Sequence, residues 1–231
     1  MFRPHNTQHA WLMPDWLMVM GLVLLWKQAY SAASAAQLQW LLYPLVVMLE
    51  LFSDLAFADT GFGEWLDSTH QVSIVKACAG GNFLAIAWLG YLWRGRGQTL
   101  TWQRLSAALL LSWLTVIIAN TLRILLCVYG QDALAKSTGL TVAHSHQLIG
   151  VMVYFGCLWL QLLPSTKAGS GNAIAAATAI YLGVALVIPV LRAGILGLPQ
   201  PSWSYALWAA GAPMMAIAAV GFVCRRQACR S

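Results

Sequence analysis

Charged residues are scarce in this chain of 231 residues, where they make up 9% of the sequence, against about 25% in an ordinary soluble domain. This shortage excludes a soluble globular enzyme, a disordered chain and a coiled coil. The short alternating segments of an outer-membrane barrel are also missing. The sequence has no CxxC pair and no His/Cys spacing typical of zinc, so we expect neither a metal site nor another cofactor.

Hydrophobic residues, in contrast, make up 60% of the chain. A membrane-crossing helix needs roughly 20 apolar residues, so this fraction predicts an all-α, polytopic membrane protein with about seven transmembrane helices in a single domain, residues 1–231. Charge-free stretches predict the spans near residues 12–30, 37–57, 77–93, 105–129, 145–163, 173–191 and 203–223. Ser165–Asn172, rich in Gly and Ser, is the one linker-like segment.

The basic residues predict the orientation, because positive charge flanks membrane spans on the cytoplasmic side. They concentrate in the loop 94–104 and the tail 225–230, which leaves the loops 58–76 and 130–144 outside a cell's inner (plasma) membrane. The net charge of +6 is divided among separate segments and forms no continuous basic stripe. We therefore expect anionic lipid headgroups as partners, and no nucleic acid.

Residues able to do chemistry lie near the outer ends of three predicted spans. Cys78 begins the third span, and Asn82 follows four residues later, which predicts one shared helix face. The fourth span carries Asn120, Arg123 and Cys127 at helical spacing, as one polar stripe. Free cysteine is often a small packing residue. At a helix start near an arginine, however, the thiolate of Cys78 is favoured, which makes it the candidate nucleophile.

Two histidines at the start of the fifth span, His144 and His146, are candidate bases. Their i, i+2 spacing could instead be half of a metal site, but no further cluster completes it. Arg123 lies roughly 10 Å below Tyr129, the expected end of its helix, and its long side chain can reach up most of that depth. We therefore expect a thiol, a guanidinium and an imidazole to meet, whereas His70 is expected in a solvated loop.

An arginine within a span costs at least about 2.5–3.5 kcal/mol on insertion scales, so Arg123 indicates either a functional site or a buried ion pair. Glu50 and Asp54, on one face of the second span, are its candidate partners. The two interpretations are compatible, because one acid could orient the guanidinium. The same three residues also allow an alternative function, a small-solute or ion transporter. A structural subunit whose polar stripes pack against partner helices is a third possibility.

Taken together, Cys-Ala-Gly-Gly at 78–81, Asn-Thr-Leu-Arg at 120–123 and His146 followed by Gly150 resemble the three motifs of the exosortase/archaeosortase family. Their order and membrane placement are also similar. The resemblance covers about residues 76–155, the expected catalytic core.

The resemblance implies a multi-pass cysteine transpeptidase whose catalytic set corresponds to Cys78, Arg123 and His146. Its implied substrates are membrane-anchored proteins with a C-terminal sorting signal, which comprises a short motif such as Pro-Glu-Pro, a transmembrane helix and an arginine cluster. A thioester at the cysteine would pass the exported protein to an acceptor in the cell envelope. Cys127 is the rival thiol, and a Cys78–Cys127 disulfide is the alternative to a free nucleophile.

Overall fold

The computed structural model of the chain describes residues 13–96, 98–163 and 170–197, and isolated residues between 206 and 218. The described part is mainly helical, which confirms the predicted fold class in outline. Most of the predicted seventh span, the stretch 164–169 of the linker-like segment and the arginine tail lie outside the described residues.

Seven α-helices and three short strands follow one another in the described ranges up to residue 197. The helices are α1 (Met13–Ala32), α2 (Gln39–Phe52), α3 (Gly81–Arg94), α4 (Trp102–Thr138), α5 (Val142–Leu162), α6 (Ser170–Leu182) and α7 (Ile188–Leu196). The strands β1 (Ala58–Asp59), β2 (Trp65–Asp67) and β3 (Val72–Ile74) form an antiparallel sheet in the order β1-β2-β3. This sheet occupies the stretch predicted as an outside loop, and its strands are too short to leave a periodic pattern in the sequence.

Among the described residues, two helices are long and apolar enough to cross a membrane. One is α4, and the other is the continuous helix Asn172–Ile195, which joins α6 and α7 through a π-helical turn at Gly183–Val187. A shorter apolar helix covers Ala36–Phe52. The larger number of about seven spans stays a prediction.

Helix α3 lies at the centre of the fold, with ten of its fourteen residues buried. It contacts α1, α4, α5 and α6, as expected of a helix that is apolar all round. Its closest approach to α5 is at Gly90, where a Cβ atom would lie 2.8 Å from Leu158. The outer helices instead expose large apolar side chains, among them Leu17, Leu24, Val47, Leu51, Leu110, Ile118, Leu122 and Leu160.

Several predicted boundaries are wrong for local reasons. Helix α2 ends at Phe52, so Asp54 lies in the following loop and not on the face of a span. Helix α4 continues nine residues past Tyr129, to Thr138, because Gly130 does not take the left-handed conformation that ends a helix, whereas Gly139 does, with φ +70°. The expected outer loop 130–144 is therefore mostly helical.

Candidate functional site

Cys78, Arg123 and His146, which come from three separate parts of the chain, line one cavity of about 390 Å³. Cys78 lies in a short 3₁₀ turn, Lys76–Ala79, before α3, while Arg123 lies on α4 and His146 in the first turn of α5. The remaining wall consists of strand and helix residues, namely His70, Gln71, Val72, Ser73, Ile74, Ile124, Cys127, Val128, Gln131 and Asp132. The structure thus brings together the three groups that the sequence singled out.

Two adjacent glycines fix the position of the Cys78 turn. Gly80 has φ +70°, a conformation that favours glycine, and a Cβ atom there would overlap the side-chain amide of Asn120. A Cβ atom at Gly81 would overlap the ring of Tyr30. The left-handed residue also separates the 3₁₀ turn from α3, which begins at Gly81. The prediction that Cys78 and Asn82 share one helix face is therefore wrong.

Helix α1 holds the same turn from the other side. The indole N–H of Trp26 donates to the carbonyl of Gly81 at 2.8 Å, and the Tyr30 hydroxyl donates to the carbonyl of Lys76 at 3.0 Å. In return, the ammonium of Lys76 donates to the carbonyls of Ser31 (2.9 Å) and Ala33 (2.6 Å), at the end of α1. A cation at this position complements the helix dipole. Nothing in the sequence pattern pointed to these side chains.

The Arg123 side chain crosses from α4 towards α5. A Cβ atom added at Gly150 would lie 3.5 Å from the Cδ of Arg123, which is an ordinary van der Waals distance. The aliphatic part of the arginine side chain therefore passes close to this glycine. The guanidinium carbon lies 5.6 Å from the ring centroid of Tyr154, a cation–π contact. Its Nε is buried without a hydrogen-bond partner, and within the described ranges no ion pair joins Arg123 to a carboxylate. The guanidinium is thus available to a ligand in the cavity.

The two acids named as candidate partners of Arg123 have other partners, so of the two interpretations the buried ion pair is wrong. The carboxylate of Glu50 accepts the backbone N–H of Phe57 at 2.9 Å. Asp54 accepts the hydroxyl of Tyr129 and lies 3.4 Å from His70. Neither acid lines the cavity. An intramembrane relay of these groups, which the transporter alternative requires, has no support in the described residues.

Asn120 is buried behind the site, and its side chain does not line the cavity that contains Cys78. Its side chain is fully buried, and its Oδ1 accepts the hydroxyl of Tyr154 at 2.5 Å. Its amide nitrogen lies against Gly80 and has no hydrogen-bond partner within the described part of the chain. The ring of Tyr154 also stacks on Phe83, with centroids 4.5 Å apart. Asn120 and Tyr154 therefore couple the Cys78 turn to the Arg123 contact.

A second cavity of about 330 Å³ shares Arg123 and His146 with the first. Asn82, which is exposed, lines this second cavity and not the one that contains Cys78. The remaining wall of the second cavity is mostly apolar and comes mainly from α3, α5 and the α6–α7 helix. Its residues include Phe83, Ile86, Val151, Tyr154, Tyr181, Val184, Ala185 and Pro189. The two shared side chains can therefore be approached from two sides.

The two histidines of α5 are placed differently. Thr141 caps the helix by accepting the backbone N–H of His144 at 3.2 Å. The side chain of His144 is half-buried and lines neither cavity. His146 is exposed and lines both. Of the two candidate bases, His146 is the one that reaches the space beside Cys78.

His70 is a further histidine in the wall: it lies in the turn between β2 and β3, as the predicted loop requires, but it is partly buried and held by two carboxylates, so its prediction as a solvated residue is wrong. Its Nδ1 lies 3.2 Å from Asp67 and its Nε2 lies 3.4 Å from Asp54. The side chain of Asp67 is 1% exposed. Hydrogen bonds from backbone N–H groups, first that of His70 and then that of Ala56, lower the pKa of Asp67 to about 2. Asp67 is therefore ionised at neutral pH and orients His70.

The described cysteines are free thiols: Cys78 and Cys157 are partly exposed, and Cys127 is buried. The alternative of a Cys78–Cys127 disulfide is thus not realised, although both residues line the first cavity. Within the described ranges, no group of three His, Cys, Asp or Glu side chains is arranged to hold a metal ion. Comparisons with protein-family models, curated proteins and solved structures return no significant match to this chain.

Proposed function

We propose that this protein is a membrane-embedded cysteine protease and transpeptidase. It cleaves the C-terminal sorting signals of exported proteins and transfers the exported part to an acceptor in the cell envelope. The observation that carries the proposal is the convergence of Cys78, Arg123 and His146 on one cavity. A nucleophile, a cation and a base that line one cavity are the groups that covalent acyl transfer requires.

In the first step, the sulfur of Cys78 attacks the carbonyl carbon of the scissile peptide bond while His146 takes the thiol proton. The unpaired guanidinium of Arg123 binds the oxygen that becomes negative, and loss of one such donor typically costs about 3–4 kcal/mol in the transition state. The C–N bond then breaks, and His146 gives its proton to the departing amine. The N-terminal part of the substrate stays on Cys78 as a thioester.

In the second step, an acceptor attacks the thioester carbon, His146 removes its proton, and the proton returns to the sulfur as the C–S bond breaks. The acceptor is an amine of a lipid or sugar, or water if the reaction is hydrolysis. The second cavity supports this scheme, because it gives the acceptor an approach to Arg123 and His146 that the acyl group does not occupy.

The site works in a polytopic inner-membrane protein of about seven spans, with the Cys78 turn on the outer side. The outward apolar side chains of α1, α2, α4 and α5 support contact with lipid. Asp59, which is exposed in the sheet, and Glu64, which is partly exposed beside it, suit an aqueous boundary on that side. Substrates are anchored in the same bilayer by their own C-terminal helix and retain their arginine cluster on the cytoplasmic face.

Processing of a reporter protein tests the proposal. The reporter carries a C-terminal Pro-Glu-Pro motif, a transmembrane helix and an arginine cluster, and is expressed together with this protein. Cys78→Ala removes the nucleophile and should abolish cleavage, whereas Cys127→Ala, a matched change in the same cavity wall, should retain at least half of the activity. His146→Ala should reduce turnover about 100-fold or more, as expected for loss of general acid–base catalysis, and His144→Ala should reduce it only slightly.

The covalent intermediate is the second readout. Mass spectrometry of the wild-type protein quenched during turnover should find the reporter's N-terminal part attached to Cys78, and it also maps the cleaved bond. Membrane abundance of each variant is measured in parallel, so that loss of activity is not confused with loss of protein. Full cleavage by Cys78→Ala would refute the nucleophile, and equal defects in the two histidine variants would refute the assignment of His146.

A further inference from the structure

The strand nearest to Cys78 has an open edge. Among the residues that the structure describes, the strand order is β1-β2-β3, and strand β3 pairs with β2 on one side only. All three of its residues, Val72–Ile74, line the cavity that contains Cys78. The backbone on the free side of this strand therefore faces the space where the proposed chemistry takes place.

The register of the sheet identifies which backbone groups face that space. The N–H of Thr60 donates to the carbonyl of Glu64 at 3.0 Å, which makes these residues a hydrogen-bonded pair. Hydrogen-bonded and non-bonded pairs alternate along an antiparallel ladder. The next pair, Asp59 with Trp65, is therefore non-bonded, and the pair after it, Ala58 with Leu66, is again hydrogen-bonded. The N–H and C=O of Leu66 thus point towards β1.

The same alternation continues across β2. Because Leu66 faces β1, its partner on the other side, Ser73, belongs to a non-bonded pair with it. The N–H and C=O of Ser73 therefore point away from β2, to the open edge. The side-chain contact at this edge agrees, since the thiol of Cys78 points at the carbonyl of Ser73, with 4.0 Å between sulfur and oxygen.

We infer that the segment of the substrate that is cleaved binds in extended form on the open edge of β3, with its backbone paired to the N–H and C=O of Ser73. This inference rests on the proposed function and adds the binding mode of its substrate. The Ser73 carbonyl that such a peptide would pair with lies 4.0 Å from the sulfur of Cys78. Pairing at Ser73 thus holds a substrate carbonyl beside Cys78.

The surroundings suit a peptide main chain. The cavity has a volume of about 390 Å³, within the range of roughly 300–1,000 Å³ that is typical of ligand sites. Arg123, whose Nε has no hydrogen-bond partner among the described residues, lines the same cavity as the strand. Strand addition uses main-chain hydrogen bonds for affinity and leaves side-chain pockets to set specificity.

A proline at position 73 tests the backbone contact directly. Ser73→Pro removes the outward N–H but no bond of the β2–β3 ladder, since proline is tolerated where the N–H faces the outside of an edge strand. Val72, already extended, suits the position before a proline. The matched control, Ser73→Ala, keeps the N–H. We expect Ser73→Pro to raise KM for the mapped substrate peptide at least about threefold above the KM of Ser73→Ala, from the loss of one hydrogen bond.

A substrate-side measurement does not depend on the folding of the variant. Peptides covering the mapped cleavage segment are made with one backbone N–H at a time replaced by N–CH₃. Strand pairing predicts that methylation is harmful at alternate residues only, because successive N–H groups of a strand point to opposite sides.

The outcomes separate the two proposals. A wild-type protein that forms no acyl adduct at Cys78 overturns the proposed function and, with it, this inference. If the adduct forms but Ser73→Pro matches Ser73→Ala and methylation shows no alternation, strand addition alone is wrong. Alternation together with a selective defect of Ser73→Pro supports it.

Discussion

Gly80 determines where the sulfur of Cys78 points, because its left-handed backbone turns the chain between the 3₁₀ turn and α3. An L-residue at this φ is strained by about 1–2 kcal/mol, and its Cβ would also displace the buried amide of Asn120. The effect of a substitution here should therefore reach the reactive group, and not only the stability of the fold.

We predict that Gly80→Ala slows alkylation of Cys78 by a small maleimide at least fivefold and abolishes reporter cleavage. The matched control is Gly139→Ala, which has the same φ of +70° but no atom within 4 Å of the added Cβ. It carries the backbone strain alone, so it should lower the thermal unfolding temperature slightly and leave Cys78 reactivity unchanged. Equal reactivity in the two variants would show that the contact with Asn120 is irrelevant.

The sequence predicted a functional residue where the residue type itself was unusual for its surroundings. Arg123 is such a case, because a cation within an apolar helix is costly in any fold and therefore indicates a functional site or an ion pair. His70, Tyr154 and Lys76 were not predictable, because their importance comes from contacts with residues distant in the sequence, such as the 34 positions between Tyr154 and Asn120 and the 46 between Lys76 and Tyr30, which no local pattern records. The same holds for Glu50, whose hydrogen bond to a loop N–H replaced the expected ion pair.

Among the elements, α4 has an unusual length. Its 37 residues span roughly 55 Å at 1.5 Å per residue, against about 30 Å for the hydrocarbon core of a bilayer. If the helix crosses the membrane, one end has to project into water. Gln131 and Asp132, which lie on its last two turns and line the first cavity, identify the C-terminal end as the projecting one.

Spin labels along α4 test this arrangement. In a protein whose native cysteines are replaced, labels at Leu110, Ile118 and Lys136 occupy exposed positions. We expect the first two to be relaxed more strongly by oxygen, which concentrates in lipid, and the third by a water-soluble nickel complex. Ile118 and Lys136 with equal nickel accessibility would contradict a membrane crossing of this helix.

The helix positions themselves followed closely from hydrophobic runs, whereas their ends did not. Runs of apolar residues reflect burial or lipid contact, which extends over many turns, so α5 begins within three residues of the prediction. Helix ends depend on single capping residues such as Thr101, Thr141 and Gly139. One such residue hardly changes the hydropathy of a stretch, so the hydrophobic pattern does not indicate where the helix ends. The small sheet was missed for the related reason that two- or three-residue strands have no period.

For the whole molecule, the orientation in the membrane is the property on which the proposed chemistry depends. The Cys78 cavity and the sheet lie together, so the sheet should face the same compartment as the exported part of a substrate. A topology reporter that is active only outside the cytoplasm should be active when inserted at Ser68 and inactive when inserted at Gln98. Activity at Gln98 with none at Ser68 would place the thiol in the cytoplasm and exclude the processing of exported proteins.

The brevity of β3 has a consequence for recognition. Only one of its residues offers its main chain outward, so an added strand gains two hydrogen bonds, each with a net value of about 0.5–1.5 kcal/mol. Hydrogen bonds of this value alone would bind a freely diffusing peptide only weakly. If the proposed function holds, confinement of both molecules to one bilayer would supply the missing affinity as a local concentration, which for tethered partners reaches the millimolar range. Substrates would then be selected first by their location in the same bilayer and only second by the short motif. The cleaved product would dissociate quickly, because it has lost its transmembrane helix.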